Sequence, residues 1–195
     1  MRPENGRERE KIMETLKTER LLLRPWRESD AEDFFEYARD PEVGPNAGWK
    51  PHESLEESRK ILRSFIEGGE VRALEWKESG KVIGSLGLHG DRIFPERKDS
   101  GKELGYVLSR EYWGRGLMTE AVKGVLPFVF EEKRLDYLSV AHFAWNMRSK
   151  RVIEKCGFRY IETKKGTFTD YRGEKLDEVC YLLTREDYFG EKSSR

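Results

Sequence analysis

The stretch that most constrains this chain runs from Glu103 to Glu120, ELGYVLSREYWGRGLMTE. Tyr106, Val107 and Leu108 are strand formers. Gly114-Arg115-Gly116 makes a tight turn, and Leu117 opens an apolar run through Ala121, Val122, Val125 and Leu126 at helical spacing. A strand, a glycine turn and a helix start, in that order, aim several backbone N–H groups the same way, and the helix dipole adds positive potential. Such a place suits an anion, most often a phosphate. The same G-x-G is also a common turn that holds nothing. Two phosphate-loop classes are excluded. A P-loop needs Gly-Lys-Ser/Thr where this chain has Gly116-Leu117-Met118, and a dinucleotide fingerprint needs a third glycine where it has Thr119.

Composition narrows the partners. The 195 residues are ample for a packed core, and a formal net charge of +0 gives no sign of the basic face that nucleic acid requires. No run reaches transmembrane length, and the opening MRPENGREREKIMETLK has no apolar signal region, so neither a membrane nor a leader is expected. Cys156 and Cys180 sit in apolar-patterned segments and read as buried free thiols of a reducing, cytoplasmic compartment. His52, His89 and His142 are scattered, without the spacing of a metal site, so no metal is expected.

Taken in order, residues 1–17 read as a polar arm, 18–190 as one domain and 191–195 as a polar tail. Thr18 to Pro25 is a strand candidate. Ser29-x-x-Glu32 and Ser54-x-x-Glu57 have the form of capping boxes ahead of two helices. Between those helices, Asp40 to Pro51 is rich in proline and glycine and reads as a loop. Val71–Lys77 and Lys81–His89 form a hairpin, and Asp91–Ser100 reads as a polar, mobile loop. Pro127 falls inside the helix after the glycine turn, where its missing N–H predicts a kink. Further on come a strand at Tyr137–His142, a helix at Met147–Cys156 ended by Gly157, and strands at Phe158–Lys164 and Leu176–Leu183. The order is βααβββαβαββ, an α/β (α+β) fold with a mixed sheet.

A second motif follows the strand at Tyr137–His142. It begins Asn146-Met147-Arg148-Ser149 and continues through Val152, Ile153, Cys156, Gly157 and Phe158. Taken together, Y-W-G-R-G-L-M-T-E-A and N-x-x-S-x-R-V-I-E-K-C-G-F resemble the GNAT acetyltransferases, most closely the RimJ/RimL-like branch that acetylates protein N-termini. The resemblance spans about Thr18 to Leu183. One departure is Glu111, where the wider superfamily favours Gln or Arg; the backbone role of the loop does not depend on that side chain.

The resemblance implies acetyl-CoA as co-substrate, with its pyrophosphate on the backbone of Trp113, Gly114, Arg115, Gly116, Leu117 and Met118. The pantetheine arm would enter a gap between splayed strands and pair with Tyr106, Val107 and Leu108. Arg115 is the nearest cation, although an exposed loop arginine is also ordinary surface. Asn146 would meet the pantetheine amides; an asparagine there is equally a helix N-cap. Ser149 matches a serine placed near the sulfur as proton donor, or is a helix serine bonded to a carbonyl. Glu103 is the candidate base by family analogy, or a strand-end carboxylate facing solvent. Tyr106 and Tyr171 are weaker candidates for proton transfer, and His142 reads as structural. Trp49, His52 and Tyr171 would wall the acceptor pocket. The expected activity is direct acetyl transfer to a primary amine, at a protein N-terminus, by a monomer or homodimer. A small-molecule amine acceptor and a non-catalytic CoA sensor are the rival readings. Neither cysteine falls in the loop motif, which argues against a covalent thiol route.

Overall fold

A computed structural model describes residues 14–97 and 100–193. The expected order runs unbroken from β2 to β8, with one short strand before it and one helix after it. The elements are β1 (Leu16–Lys17), β2 (Leu21–Arg24), α1 (Ala31–Ala38), α2 (Leu55–Gly68), β3 (Val71–Trp76), β4 (Val82–His89) and β5 (Gly101–Leu108). They continue with α3 (Leu117–Pro127), β6 (Tyr137–Phe143), α4 (Met147–Lys155), β7 (Arg159–Thr169), β8 (Lys175–Thr184) and α5 (Arg185–Ser193). The arm expected over residues 1–17 lies outside the described residues up to residue 13, and Leu16–Lys17 pairs with Leu22–Leu23 as a sheet edge. The expected polar tail is helical through Ser193.

The strands form one sheet in the order β1-β2-β3-β4-β5-β6-β8-β7. Every neighbouring pair is antiparallel except β5 and β6. That parallel pair runs only from Gly101↔Tyr137 to Glu103↔Ser139, although β5 continues to Leu108 and β6 to Phe143. The two strands therefore part in the middle of the sheet.

Alternation along β5 sends its side chains to two layers. Leu104 and Leu108 join Leu138, Val140 and the buried face of α3 (Leu117, Ala121, Val122, Val125) in the larger core. Val107 packs on the other side, against the core that α1 and α2 build with Ala73 and Val82. Burying side chains such as Leu117 and Val122 is worth ~1.5–3 kcal/mol each, so the first turn of α3 is anchored from below.

Two local expectations are corrected, and the disturbance expected at Pro127 takes a specific form. Ser29 caps nothing; the carboxylate of Asp30 accepts the Arg27 N–H and is held by both terminal nitrogens of Arg24, so a 3-10 turn precedes α1. Asp91–Ser100 is not simply a polar loop. Buried Asp91 accepts from the Ile93 and Phe94 N–H groups, Tyr137 and Ser139, and Ile93 and Phe94 pack against Cys180 and Leu182. After Pro127 the helix widens into a π turn, Phe128–Glu132, with Lys133 N–H bonded to the Phe128 carbonyl. The proline has no N–H to continue the regular ladder, so the spacing shifts by one residue.

Candidate active site

Where β5 and β6 part, a cleft of about 310 Å³ opens between the end of β5, the glycine turn and α4. Tyr106, Val107 and Leu108 line one wall, and Trp113, Gly114, Gly116, Leu117 and Met118 the mouth. Asn146 and Ser149 line the wall opposite. The loop between α1 and α2 closes the inner end with Val43, Asn46 and Ala47.

The turn is built for backbone exposure. Gly114 and Gly116 both have φ of +76°, a conformation other residues adopt only with strain. Among the described residues, none of the N–H groups from Gly114 to Thr119 donates to a protein acceptor; the first bond of α3 is Glu120 N–H to the Gly116 carbonyl. Arg20 fixes the turn from outside. It grips Glu120 through its backbone N–H and its Nε, each at 2.7 Å, and donates to the Arg115 carbonyl at 3.1 Å. Across a trans peptide this turns the Gly116 N–H the opposite way. Arg115 itself does not line the cleft; its guanidinium lies over the Tyr112 ring at 5.2 Å.

On β5, Ser109 N–H bonds to the Ile83 carbonyl of β4, whereas the Leu108 carbonyl accepts the Trp113 indole N–H. In a regular antiparallel ladder, alternate residues face opposite neighbours. The backbone N–H groups of Tyr106 and Leu108 therefore face the parting rather than β4. Opposite them, Asn146 caps α4, its side-chain oxygen accepting the Ser149 N–H at 3.1 Å while its amide donates to the Asn46 carbonyl. Ser149 Oγ lies 2.8 Å from the Tyr106 hydroxyl. Burial pushes the phenol pKa of Tyr106 up, so at neutral pH it keeps its proton and can donate.

The other candidates lie apart. Glu103 sits where β5 and β6 part but does not line the cleft. Three residues down the strand put it about 10 Å from Tyr106. It is buried and shares Arg92, at 3.0 Å, with Glu178 of β8, at 2.7 Å. Burial raises the Glu103 pKa, and Arg92 offsets part of that rise. Arg92 also lies over the Phe168 ring. His52 is packed between α1 and α2, with Nδ1 bonded to Ser58 Oγ and its ring edge-on to Phe34, so it is not an open pocket wall. The Trp49 ring lies tilted beside His52, with centroids 5.2 Å apart, and the neighbouring Gly48 lies against Phe168 and Phe143. Tyr171 is exposed on the β7–β8 turn beneath the Arg172 guanidinium, away from the cleft. His142 is buried against Tyr181, with Nδ1 on the Phe143 carbonyl.

A family model described as an acetyltransferase (GNAT) domain matches residues 20–159. The chain belongs to the GNAT acetyltransferase family. It is thus an N-acetyltransferase that uses acetyl-CoA as acetyl donor. Among its relatives is uncharacterized N-acetyltransferase p20 of Bacillus licheniformis, 28% identical over 186 residues that cover 91% of this chain and 100% of that one. The GNAT fold is shared with a solved GNAT-family acetyltransferase of Bacillus anthracis (TM-score 0.79, 24% identity, 88% of this chain and 99% of that chain). It is shared too with the ribosomal-protein-S5-alanine acetyltransferase of Vibrio fischeri (TM-score 0.70, 23% identity, 89% and 98%).

Several cleft residues escape a reading of the sequence. Arg148, Arg151 and Lys155 line it from α4, and the Arg148 guanidinium lies 3.9 Å over the Trp113 ring. The i, i+3, i+7 spacing of these cations was visible, but which face of α4 meets the cleft was not. Asn46 accepts the Trp145 indole N–H besides the bond from Asn146, tying the α1–α2 loop to the start of α4.

Proposed function

We propose that this GNAT enzyme passes the acetyl group of acetyl-CoA directly to the primary amine of a peptide or protein N-terminus in the cytoplasm. The observation that carries the donor half is the cleft at the β5/β6 parting, with unpartnered N–H groups at its mouth and a hydroxyl pair at its wall. The turn from Gly114 to Thr119 fits a pyrophosphate, since its N–H groups have no acceptor of their own. Tyr106 and Leu108 present backbone N–H groups that can hold the pantetheine or the thioester carbonyl. Asn146 keeps one amide hydrogen and one lone pair beyond its two observed bonds.

Bound acetyl-CoA supplies a thioester that an amine can attack. Tyr106, donating to Ser149 Oγ, leaves the serine O–H free to point into the cleft toward the departing sulfur. A thiol on the cysteine scale has a pKa of about 8.5, so one hydrogen bond to the thiolate is enough help. Glu103, with its raised pKa, takes the proton that the incoming ammonium must lose. At its distance from the cleft it does so through water.

The acceptor face supports an amine. Glu103 and Glu178 both pair with Arg92, so two carboxyl groups meet one cation there among the described residues, a neighbourhood that favours an ammonium. For a peptide over a small amine, the support is the exposed Trp145 and Met147 beside the loop at Asn46, together with the name of the Vibrio fischeri structure. The test is thiol release from acetyl-CoA with short peptides differing in their first residue, polyamines, aminoglycosides and free amino acids. Turnover on a peptide should exceed that on every small amine. Faster turnover on spermidine or an aminoglycoside would overturn the N-terminal acceptor.

A further inference from the structure

The inner end of the cleft comes from neither motif. It is closed by Val43 and by the 3-10 turn Gly44–Ala47 of the α1–α2 loop. Val43 is buried in the core of α1 and α2, where Val107 of β5 packs as well. Ala47 is exposed and lines the cleft. This end is therefore apolar, and the cations that line the cleft, Arg148, Arg151 and Lys155, all stand on α4. Asn46, between Val43 and Ala47, is committed to holding the wall. Its Nδ2 donates to the Glu42 carbonyl at 2.7 Å, and its Oδ1 accepts the Trp145 indole N–H at 3.2 Å. Its backbone carbonyl accepts from the Asn146 side chain, also at 3.2 Å. Close packing holds the turn as well. A Cβ at Gly44 would run into the Trp49 ring, and one at Gly48 into the Phe168 ring. Tied to the start of α4 and seated against aromatic rings, the wall fixes the depth of the cleft.

We propose that Val43 and Ala47 determine which acyl-CoA the enzyme accepts: they admit an acetyl group and reject longer acyl chains and chains that end in a carboxylate. The inference rests on the reading that acetyl-CoA occupies this cleft. With the pyrophosphate at the glycine turn and the sulfur beside Ser149, the acyl group is the part of the donor that points to the inner end. A wall that cannot give way rejects added methylenes by overpacking. A hydrophobic pocket separates ligands one methylene apart by roughly 10–200-fold. An acyl carboxylate would lose its water there without gaining a cation.

The test is calorimetric titration with CoA, acetyl-CoA, butyryl-CoA and succinyl-CoA, which needs no acceptor. CoA carries no acyl group and reports on the rest of the site. The wild type should bind butyryl-CoA and succinyl-CoA about tenfold or more weakly than acetyl-CoA. Ala47→Leu, at an exposed position, should keep its melting temperature and its affinity for CoA while weakening acetyl-CoA about tenfold. Val43→Ala deepens the cleft and should bring butyryl-CoA close to acetyl-CoA, with succinyl-CoA still rejected. Equal wild-type affinities for acetyl-CoA and butyryl-CoA would overturn the acyl limit. Unchanged acetyl-CoA affinity in Ala47→Leu, an equal loss of CoA there, or an unmoved butyryl preference in Val43→Ala would remove these residues from the acyl site. Each of those results leaves the cleft reading standing where Gly116→Asp weakens CoA. CoA binding indifferent to Gly116→Asp would overturn the cleft reading and the acyl wall together.

Discussion

The Tyr106 hydroxyl lies 2.8 Å from Ser149 Oγ, joining the end of β5 to the first turn of α4 across the cleft. The backbone carbonyl of Ser149 lies 3.3 Å from the same hydroxyl and is the alternative acceptor of its one proton. With its phenol pKa raised by burial, Tyr106 keeps its proton at neutral pH, and donated to Oγ that proton orients the serine. Tyr106→Phe and Ser149→Ala should each lower kcat about tenfold, the cost of one hydrogen bond made as charge develops. KM for acetyl-CoA should change little. The double variant should be no slower than the worse single one, because both act through one bond. Additive losses in steady-state kinetics would separate the two residues.

Gly116 distinguishes strain from charge. A Cβ there would have Arg20 Nη2 as its nearest neighbour, at 3.8 Å, so there is room for a methyl group. The cost of Gly116→Ala is the left-handed backbone, about 1–2 kcal/mol of stability. Gly116→Asp adds a negative charge beside the unpartnered N–H groups and should weaken CoA binding more than tenfold in a titration. A folded Asp variant with unchanged affinity would remove the turn from the binding site.

Arg92 should set the acid limb of the pH–rate profile. Its charge favours the ionised form of Glu103, against burial, which disfavours it. In Arg92→Ala the Glu103 pKa should rise further, and the acid limb of kcat/KM should move to higher pH. Glu103→Gln should remove that limb and slow the reaction. An acid limb unmoved in both variants would assign the titration to another group.

Two buried histidines make stability depend on pH. The pKa values of His52 and His142 are depressed, chiefly by burial. The unfolded chain takes up protons near pH 6.5, before the folded one does. Stability should therefore fall as pH drops below about 6.5 and level off below the folded pKa values. Melting temperatures between pH 7.5 and 5 should show that slope. His142→Gln should flatten it while lowering the melting temperature at pH 7.5, and an unchanged slope in both His142→Gln and His52→Gln would assign it elsewhere.

Local chemistry made most of the fold legible. Ser54 caps α2 by accepting the Glu57 N–H, Gly157 turns left-handed after α4, and the order of elements along the chain from β2 to β8 follows from period-two and helical runs. Long-range contacts were not legible. Asp91 organises the segment beneath Cys180 through Tyr137 and Ser139, partners 46 and 48 residues away, so no local pattern reveals it. His52 looked open because it follows a loop of prolines and glycines, yet Ser58 and Phe34 hold it inside. At the cleft, the glycine turn could be read from the sequence, and Asn146 and Ser149 were implied by the motif's resemblance to the family. Arg115 and the α4 cations could not be sorted, because which arginine faces the cleft depends on how the turn and helix pack. Arg20, which holds the turn from 95 residues away through the Arg115 carbonyl, has no local signal at all.

Amide hydrogen exchange with and without acetyl-CoA tests the placement of the donor most directly. The N–H groups from Gly114 to Thr119 have no protein acceptor among the described residues, so in the free protein they should exchange fast. Saturating acetyl-CoA should slow exchange there, at Tyr106 and Leu108, and along the start of α4, with little change elsewhere. Fast exchange persisting from Gly114 to Thr119 under saturation, with protection on another face of the sheet, would contradict the assignment of this cleft.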